Sequence, residues 1–326
     1  MGEPIWQPSA ERVAASNLTR FASFARGKYG APAGDYAALW RWSVEQREQF
    51  WTAMMEFAGV LHTPGTAPVL QHRDRMPGAV WFEDTRLNYA ENLLARDDDH
   101  VALVFCNERG SRRAITYRQL RTEVARVAAG LRELGIGPGE RVAGFVPNLP
   151  ESIVAMLAAT SLGAAWTSCS PDFGINGVLD RFGQVAPRVL FTADGYFYNG
   201  KTIDSLAPVR GVLEKLPSVE RVVVIPYVSE TPGIADLPNA VHFRDFGRAG
   251  AALEFVRVPF DTPLFVMYSS GTTGVPKCIV HGVGGTLLQH RKEHLLHSDL
   301  KPGDALFFFT TCGWMMWNWL VSGLAT

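Results

Sequence analysis

The sequence predicts an α/β protein with βαβ units around a mostly parallel sheet, preceded by a helical N-terminal preface. Between residues 101 and 225, short apolar runs alternate with amphipathic stretches at helical spacing, the pattern of parallel strands joined by helices. The 326 residues are 47% hydrophobic and 19% charged, so the chain has ample material for a globular core. Its formal net charge of −1 gives no support for a nucleic-acid partner.

The preface is expected to occupy residues 1–95 and to pack on the main domain, which begins at residue 96. Residues 9–25 predict a helix with Ser9 as its N-cap and one apolar face. A second helix is predicted to begin at Ser43, which forms a capping-box pattern with Gln46. The preface contains no clustered chemistry, so its expected role is structural.

The main domain opens with a regular alternation of strands and helices. Thr116 and Gln119 form a second capping-box pattern, which predicts the start of a long amphipathic helix. Because ligands of parallel sheets bind at the carboxyl ends of the strands, that edge is where a site is expected. The predicted strands are 101–106, 142–146, 164–169, 189–192 and 222–225, and the predicted later helices are 151–162, 175–186 and 204–216.

A hydroxyl- and glycine-rich loop follows the uncharged block 264–267, which predicts a buried strand. Glycines allow the backbone to approach an oxyanion closely, and the serine and threonine hydroxyls add donors. Ile279 and Val280 favour a second strand after the loop, and Cys278 stands where a Walker loop requires Ser or Thr. An ordinary surface loop is the alternative to a phosphate site. The candidate phosphate ligands are Ser269, Ser270, Gly271, Thr272, Thr273, Gly274 and Lys277.

Residues 268–277 resemble the phosphate-binding signature of the adenylate-forming superfamily, which contains acyl-CoA synthetases, luciferases and peptide-synthetase adenylation domains. Residues 115–120 resemble its first core motif. The second core motif is similar to residues 161–165 followed by 170–172. The resemblance implies that the loop binds the β- and γ-phosphates of ATP, with Lys277 and Thr272 acting in catalysis. It also implies Mg²⁺ bridging the phosphates, without a protein ligand that the sequence identifies, and CoA as the thiol substrate.

The segment 313–319 contains three tryptophans and two methionines, which core packing alone could use. In the superfamily, the similar segment lies against the acyl group, so the resemblance implies that Trp314, Met315 and Met316 bind the substrate acid. Together with residues 170–174 and 281–297, it is similar to the acetoacetate-activating branch of the short-chain acyl-CoA synthetases. Acetate, propionate or a branched acid are the close alternatives, and a non-catalytic nucleotide-binding fragment is the alternative from another class.

The resemblance also implies that the chain is truncated. Residues 96–326 correspond to the first part of the adenylation domain. The adenine-binding motifs, the hinge and the small C-terminal domain of the family have no counterpart after Thr326. About half of the enzyme is therefore expected to be missing, and the chain alone is expected to be inactive. A parallel sheet interrupted in this way would leave an open edge.

Two other patterns compete for a function. Residues 290–294 fit H-x-x-E-H, a zinc-peptidase pattern, but no glutamate follows to complete a catalytic zinc site, so a solvated helix face is expected. Residues 305–326 carry no charge and could span a membrane, but a buried strand at 306–309, a loop and a helix fit better. Four widely spaced cysteines and the lack of a secretion signal favour buried, reduced thiols in a cytoplasmic protein. The sequence does not specify an oligomeric state.

Overall fold

A seven-stranded sheet forms the centre of the computed structural model, which describes residues 5–269 and 274–326. The strand order is β13-β12-β9-β7-β8-β15-β16, and all neighbours are parallel except β15 and β16 at one edge. The predicted fold class is therefore confirmed. The strands of this sheet are β7 (Arg141–Phe145), β8 (Ala165–Cys169), β9 (Val189–Ala193), β12 (Arg221–Ile225), β13 (Ala240–His242), β15 (Pro263–Ser269) and β16 (Lys277–Gly282).

Eleven α-helices lie in the described part of the chain, together with short two- and three-stranded sheets. The helices are α1 (Ala10–Ala15), α2 (Asn17–Tyr29), α3 (Tyr36–Glu45), α4 (Arg47–Phe57), α5 (Tyr89–Leu93), α6 (Tyr117–Glu133), α7 (Pro150–Ser161), α8 (Ile175–Val185), α9 (Leu206–Leu213), α10 (Val283–Lys292) and α11 (Met315–Ser322). The remaining strands are β1 (His62–Thr63), β2 (Leu70–Gln71), β3 (Val80–Trp81), β4 (Arg86–Leu87), β5 (Val101–Cys106), β6 (Arg112–Thr116), β10 (Gly195–Tyr198), β11 (Lys201–Asp204) and β14 (Val258–Pro259).

The central sheet is covered on both faces because successive side chains of a strand point to opposite sides. In β12, Val223 belongs to the larger core cluster, whereas Val222 and Val224 belong to a second cluster. Helices α6 and α7 contribute to the first cluster, and α8 and α9 to the second. Burial on both faces explains why these strands appear in the sequence as continuous apolar runs.

The preface supplies side chains to the larger core, but its helix boundaries differ from the prediction. Ser9 caps a helix as expected, yet this helix ends at Ala15 and Ser16 caps a second one, α2. The predicted helix start at Ser43 is wrong, since Asp35 caps α3 and Ser43 lies inside it. The Ser43 hydroxyl instead donates to the carbonyl of Trp40 at 2.7 Å. Serine side chains compete for helix carbonyls in this way as readily as they cap.

The C-terminal segment also departs from the expectation. Residues 306–309 form no strand, and Phe307 and Phe309 are 82% and 86% exposed, so the predicted buried strand is wrong. The helix predicted after it is present as α11. Among the described residues, no helix combines the length and apolar character needed to cross a bilayer.

Candidate active site

The predicted phosphate loop joins the two antiparallel strands β15 and β16, as the strand–loop–strand expectation required. Ser269 ends β15 and pairs in register with Lys277, the first residue of β16. The loop therefore begins at the carboxyl end of a strand that pairs in parallel with β8. Four of the predicted ligands, Ser270, Gly271, Thr272 and Thr273, lie outside the described residues.

On the C-terminal side of the loop, a backbone carbonyl is anchored by a hydrogen bond, and the lysine is exposed to solvent. Gly274 has a φ of 99°, a conformation that favours glycine. The carbonyl of Pro276 accepts a 2.8 Å hydrogen bond from Nε2 of Gln184, which ties the loop to α8. Lys277 is exposed, and no ion pair involves it within residues 5–269 and 274–326. Its charge is therefore available to a ligand.

Tyr268, the residue before the end of β15, links this strand to the neighbouring strand β8 through its side chain. Its hydroxyl lies 2.7 Å from Oγ1 of Thr167 on β8. Burial raises the pKa of Tyr268, and the hydrogen bond with Thr167 only partly opposes this shift. The phenol therefore stays protonated at neutral pH and serves as a hydrogen-bonding support rather than as a base.

A turn before α11 packs against the carboxyl end of β8. The hydroxyl of Ser168 donates to the carbonyl of Cys312 at 2.6 Å. Gly313 lies so close to β8 that an added Cβ would stand 3.1 Å from the backbone nitrogen of Ser170. This contact places Trp314, which is 64% exposed, at the sheet edge where the loop begins.

A small cavity of about 10 Å³ lies under this turn, between β8 and β15. Trp314 lines it, whereas Met315 and Met316 are absent from the lining formed by the described residues. The roles of all three in substrate binding remain predictions. The lining residues are Trp166, Thr167, Ser168, Val266, Met267, Cys312, Gly313, Trp314 and Asn318.

Family models identify the chain. The model described as "AMP-binding enzyme" matches residues 90–326, and "Acetyl-coenzyme A synthetase N-terminus" matches residues 36–93. The chain therefore belongs to the AMP-binding enzyme family.

Individual relatives agree with this family. An acetoacetyl-coenzyme A synthetase of Rhizobium meliloti (strain 1021) is 47% identical over 99% of this chain and 50% of the relative. A malonamoyl-CoA synthetase of Penicillium aethiopicum is 43% identical over 99% of this chain and 47% of the relative. The structure of an acetoacetyl-CoA synthetase from Streptomyces lividans superposes with a TM-score of 0.94 at 46% identity, covering 100% of this chain and 50% of that one. The chain thus spans about half the length of the curated relatives it matches.

Asn318 is a residue of the candidate site that no sequence motif indicated. It lies on α11, is 4% exposed and lines the cavity. Its Nδ2 donates to Sδ of Met267 at 3.3 Å, while its Oδ1 has no hydrogen-bond partner among the described residues. The available signal was an amide within an uncharged, tryptophan-rich helix, where a buried polar group requires a partner.

The histidines of the H-x-x-E-H pattern are buried rather than solvated, so that expectation is wrong. His290 is 4% exposed, and its Nδ1 lies 2.8 Å from Oγ of Ser322, which in turn lies 2.6 Å from the hydroxyl of Tyr89. Burial lowers the pKa of His290 to about 3 and that of His294 to about 4. No group of three or more potential metal-binding side chains occurs in the described ranges.

The four cysteines are all free, but they do not share one environment. Cys169 and Cys312 are buried, and burial raises the pKa of Cys169 to about 12. Cys106 is exposed, so the expectation that every thiol is buried is wrong. Burial raises the pKa values of Cys169, Cys278 and Cys312, the opposite of the lowering that a nucleophilic cysteine needs.

Proposed function

We propose that this chain forms part of an acetoacetate–CoA ligase that uses ATP and CoA. The observation that carries the proposal is the meeting of two elements at one sheet edge. The hydroxyl- and glycine-rich loop begins at Ser269, and the turn that bears Trp314 packs on the neighbouring strand β8. An ATP phosphate group and a small acid bound there would lie side by side, as adenylate formation requires.

The proposed reaction has two steps. The acid carboxylate attacks the α-phosphate of ATP, so that an acyl–AMP forms and pyrophosphate leaves. The thiol of CoA then attacks the acyl carbon, forming the thioester and releasing AMP. Neither step needs a protein nucleophile, so the protein contributes mainly orientation and stabilisation of developing charge.

The loop residues supply that stabilisation in the proposal. The hydroxyls of Ser269, Ser270, Thr272 and Thr273 donate to phosphate oxygens, and the backbone at Gly271 and Gly274 allows close approach. Lys277 offsets the charge on the departing pyrophosphate, and its exposed ammonium without an ion pair among the described residues supports this role.

Magnesium would enter with the nucleotide. Mg²⁺ takes oxygen ligands and commonly uses substrate phosphates among them, so phosphate oxygens together with the hydroxyls of the loop would hold the ion. Bound Mg²⁺ would neutralise phosphate charge. No step assigned to the side chains above depends on its position.

The relatives narrow the choice of acid. Both acetoacetate and malonamate carry a carbonyl oxygen on the third carbon, and synthetases named for these two acids match 99% of this chain. Acetate, propionate and simple branched acids lack that oxygen. We therefore place acetoacetate first and the simple short-chain acids second.

Two further expectations belong to this proposal. A division of the chain near residue 95 is supported by the two family models, which meet at residues 90–93. A cytoplasmic location is supported by the four free cysteines.

ATP–pyrophosphate exchange in the full-length protein tests the function. The assay is run with acetoacetate, malonamate, butyrate, propionate and acetate at equal concentrations. We expect the fastest exchange with acetoacetate. Faster exchange with acetate or propionate would identify that acid, rather than acetoacetate, as the preferred substrate. No exchange with any acid would favour a non-catalytic nucleotide-binding protein.

A further inference from the structure

The carboxamide of Asn318 has unused hydrogen-bonding capacity inside the cavity. The other polar side chains that line it are satisfied. Thr167 Oγ1 donates to the carbonyl of Val266 at 2.7 Å, and Ser168 Oγ accepts from Nε1 of Trp166 at 3.2 Å while donating to Cys312. Among the lining residues that the structure describes, Asn318 alone is buried with an unpaired side-chain oxygen. Its Nδ2 carries two N–H donors, and the one hydrogen-bond contact of this nitrogen with a described residue is to Sδ of Met267.

This arrangement is unfavourable without a ligand. A thioether is a weak acceptor, so the contact with Sδ of Met267 at 3.3 Å compensates little for the loss of water around Nδ2. A buried amide whose hydrogen bonds are unmade destabilises a protein, and such groups in native structures call for an explanation. A carbonyl oxygen cannot pair with Oδ1, which is itself an acceptor, but it would give the N–H donors of Nδ2 the strong acceptor that they lack.

The position of Asn318 relative to the phosphate loop sets what that group can be. Met267 and Ser269 lie two residues apart on β15, so they share one face of the strand about 7 Å apart. An acid whose carboxylate faces the start of the loop would therefore extend its third carbon toward Met267 and Asn318. The cavity of about 10 Å³ is close to the size of one water molecule, which suits a single oxygen atom rather than an acyl chain.

We propose that Asn318 is a specificity-determining residue whose Nδ2–H donates a hydrogen bond to the carbonyl oxygen on the third carbon of the substrate acid. This inference rests on the proposed function. The carbonyl oxygen replaces the thioether as acceptor, and Trp314 covers the chain at the mouth of the cavity. An acid with a methylene at the third carbon leaves Nδ2 with the thioether as its acceptor and binds more weakly.

Acetoacetate and butyrate are the matched substrates for a test, because they differ only in the third-carbon oxygen. In the full-length protein we expect kcat/KM for acetoacetate to exceed that for butyrate by at least about 10-fold, as expected for a site built to pair a polar group. This arm needs no variant. A ratio near one in the unmodified protein would overturn the assignment.

The variants Asn318→Leu and Asn318→Ala test the residue itself. Each is expected to lower the acetoacetate-to-butyrate ratio of kcat/KM by about 10- to 100-fold, mainly through loss of acetoacetate use. Asn148→Leu is the matched control, because Asn148 Oδ1 accepts from Nε1 of Trp317 on the same helix at 2.9 Å but does not line the cavity. The control should leave the ratio unchanged.

The outcomes separate the two proposals. If the unmodified protein activates neither acid, the proposed function fails. If it prefers acetoacetate but Asn318→Leu and Asn318→Ala keep that preference, only the role of Asn318 is overturned. Should Asn318→Leu fail to fold, Asn318→Ala, which adds no bulk, decides the role of Asn318, because the assignment stands only if this variant lowers the acetoacetate-to-butyrate ratio.

Discussion

Two regions meet at the carboxyl end of β15, and they differ sharply in exposure. The hairpin that carries the predicted phosphate loop is open, since Lys277 is exposed and Val280 on β16 is 55% exposed. The inner side of α11 is closed, with Trp317 fully buried and Asn318 4% exposed. The hairpin presents a positive charge to solvent, whereas the inner side of α11 holds aromatic and amide groups buried from solvent.

The proposed function explains this difference by what each region would recognise. A triphosphate is strongly charged, so hydroxyls and a lysine at an open edge are sufficient to attract it. A small acid offers little charge beyond its carboxylate, so discrimination depends on a buried site in which an unmade hydrogen bond is costly. Damage to the closed region should therefore affect stability as well as substrate discrimination, and damage to the open region should affect catalysis without affecting stability.

The largest expected effect comes from Trp317→Ala. Trp317 is 0% exposed and its Nε1 donates to Asn148 Oδ1, so truncation removes a large buried ring and leaves a cavity. We expect the free energy of unfolding to fall by about 3–5 kcal/mol. Chemical denaturation of the full-length protein, followed by tryptophan fluorescence, measures the change.

Trp314→Ala is the control within the same helix segment. Trp314 is 64% exposed, so its removal should change the free energy of unfolding by less than about 1 kcal/mol. Equal destabilisation by the two variants would contradict the distinction between an exposed pocket wall and a buried support.

The next effect is on catalysis at the open edge. Lys277→Ala removes an exposed charge, so folding should be unaffected while adenylate formation falls by about 10²–10³-fold, or about 2.7–4 kcal/mol of transition-state stabilisation. ATP–pyrophosphate exchange measures the loss. Lys301→Ala is the control, because Lys301 is an exposed lysine paired with Asp299 outside the loop. An undiminished rate for Lys277→Ala would remove the lysine from the mechanism.

The open region was predictable from the sequence because its chemistry is local. The hydroxyl- and glycine-rich stretch between the apolar block 264–267 and the β-branched pair 279–280 predicted a strand, a loop and a second strand, and the pairing of β15 with β16 confirms the two strands. The buried strands were predictable for a similar reason, since burial on both faces makes each one a continuous apolar run. Structure that depends on a local sequence pattern can therefore be predicted without knowledge of the tertiary contacts.

The closed region was not predictable, because its environment is created by contacts between distant segments. Asn318 becomes a cavity residue only when α11 packs on β15, 51 residues away at Met267. The spacing of His290 and His294 predicted a solvent-exposed helix face. Packing against the preface and α11 instead makes both histidines core residues. The run 306–309 shows the converse. Its apolar composition predicted burial, but Phe307 is largely exposed among the described residues.

The buried histidines behind α11 predict a pH dependence of stability. The pKa is about 3 for folded His290 and about 4 for folded His294, both below the ordinary value of 6.5, so the unfolded chain binds more protons between these values. Stability is therefore full above pH 6.5 and falls as the pH decreases. We expect a loss of about 1 kcal/mol per histidine between pH 6.5 and 5.5, because the unfolded imidazole is only half protonated at the upper end of this range, and urea unfolding measures the change.

Replacing each histidine by glutamine separates this contribution from other titrations. Each variant should flatten the stability profile above pH 5.5, because one buried titrating group is removed. A profile that keeps its full slope in both variants would assign the pH dependence to other groups.

The smallest effect concerns the hydrogen bonds that support α11 from behind. Tyr89→Phe removes the hydroxyl that lies 2.6 Å from Oγ of Ser322, while Ser322 keeps its contacts with Asn318 and His290. We expect a loss of about 1 kcal/mol in the free energy of unfolding, the net value of one buried hydrogen bond. Tyr29→Phe is the control, since the Tyr29 hydroxyl bonds to Glu56 in an exposed setting and should contribute less. If the two variants were equally destabilised, burial would not be what distinguishes the support behind α11 from the exposed surface.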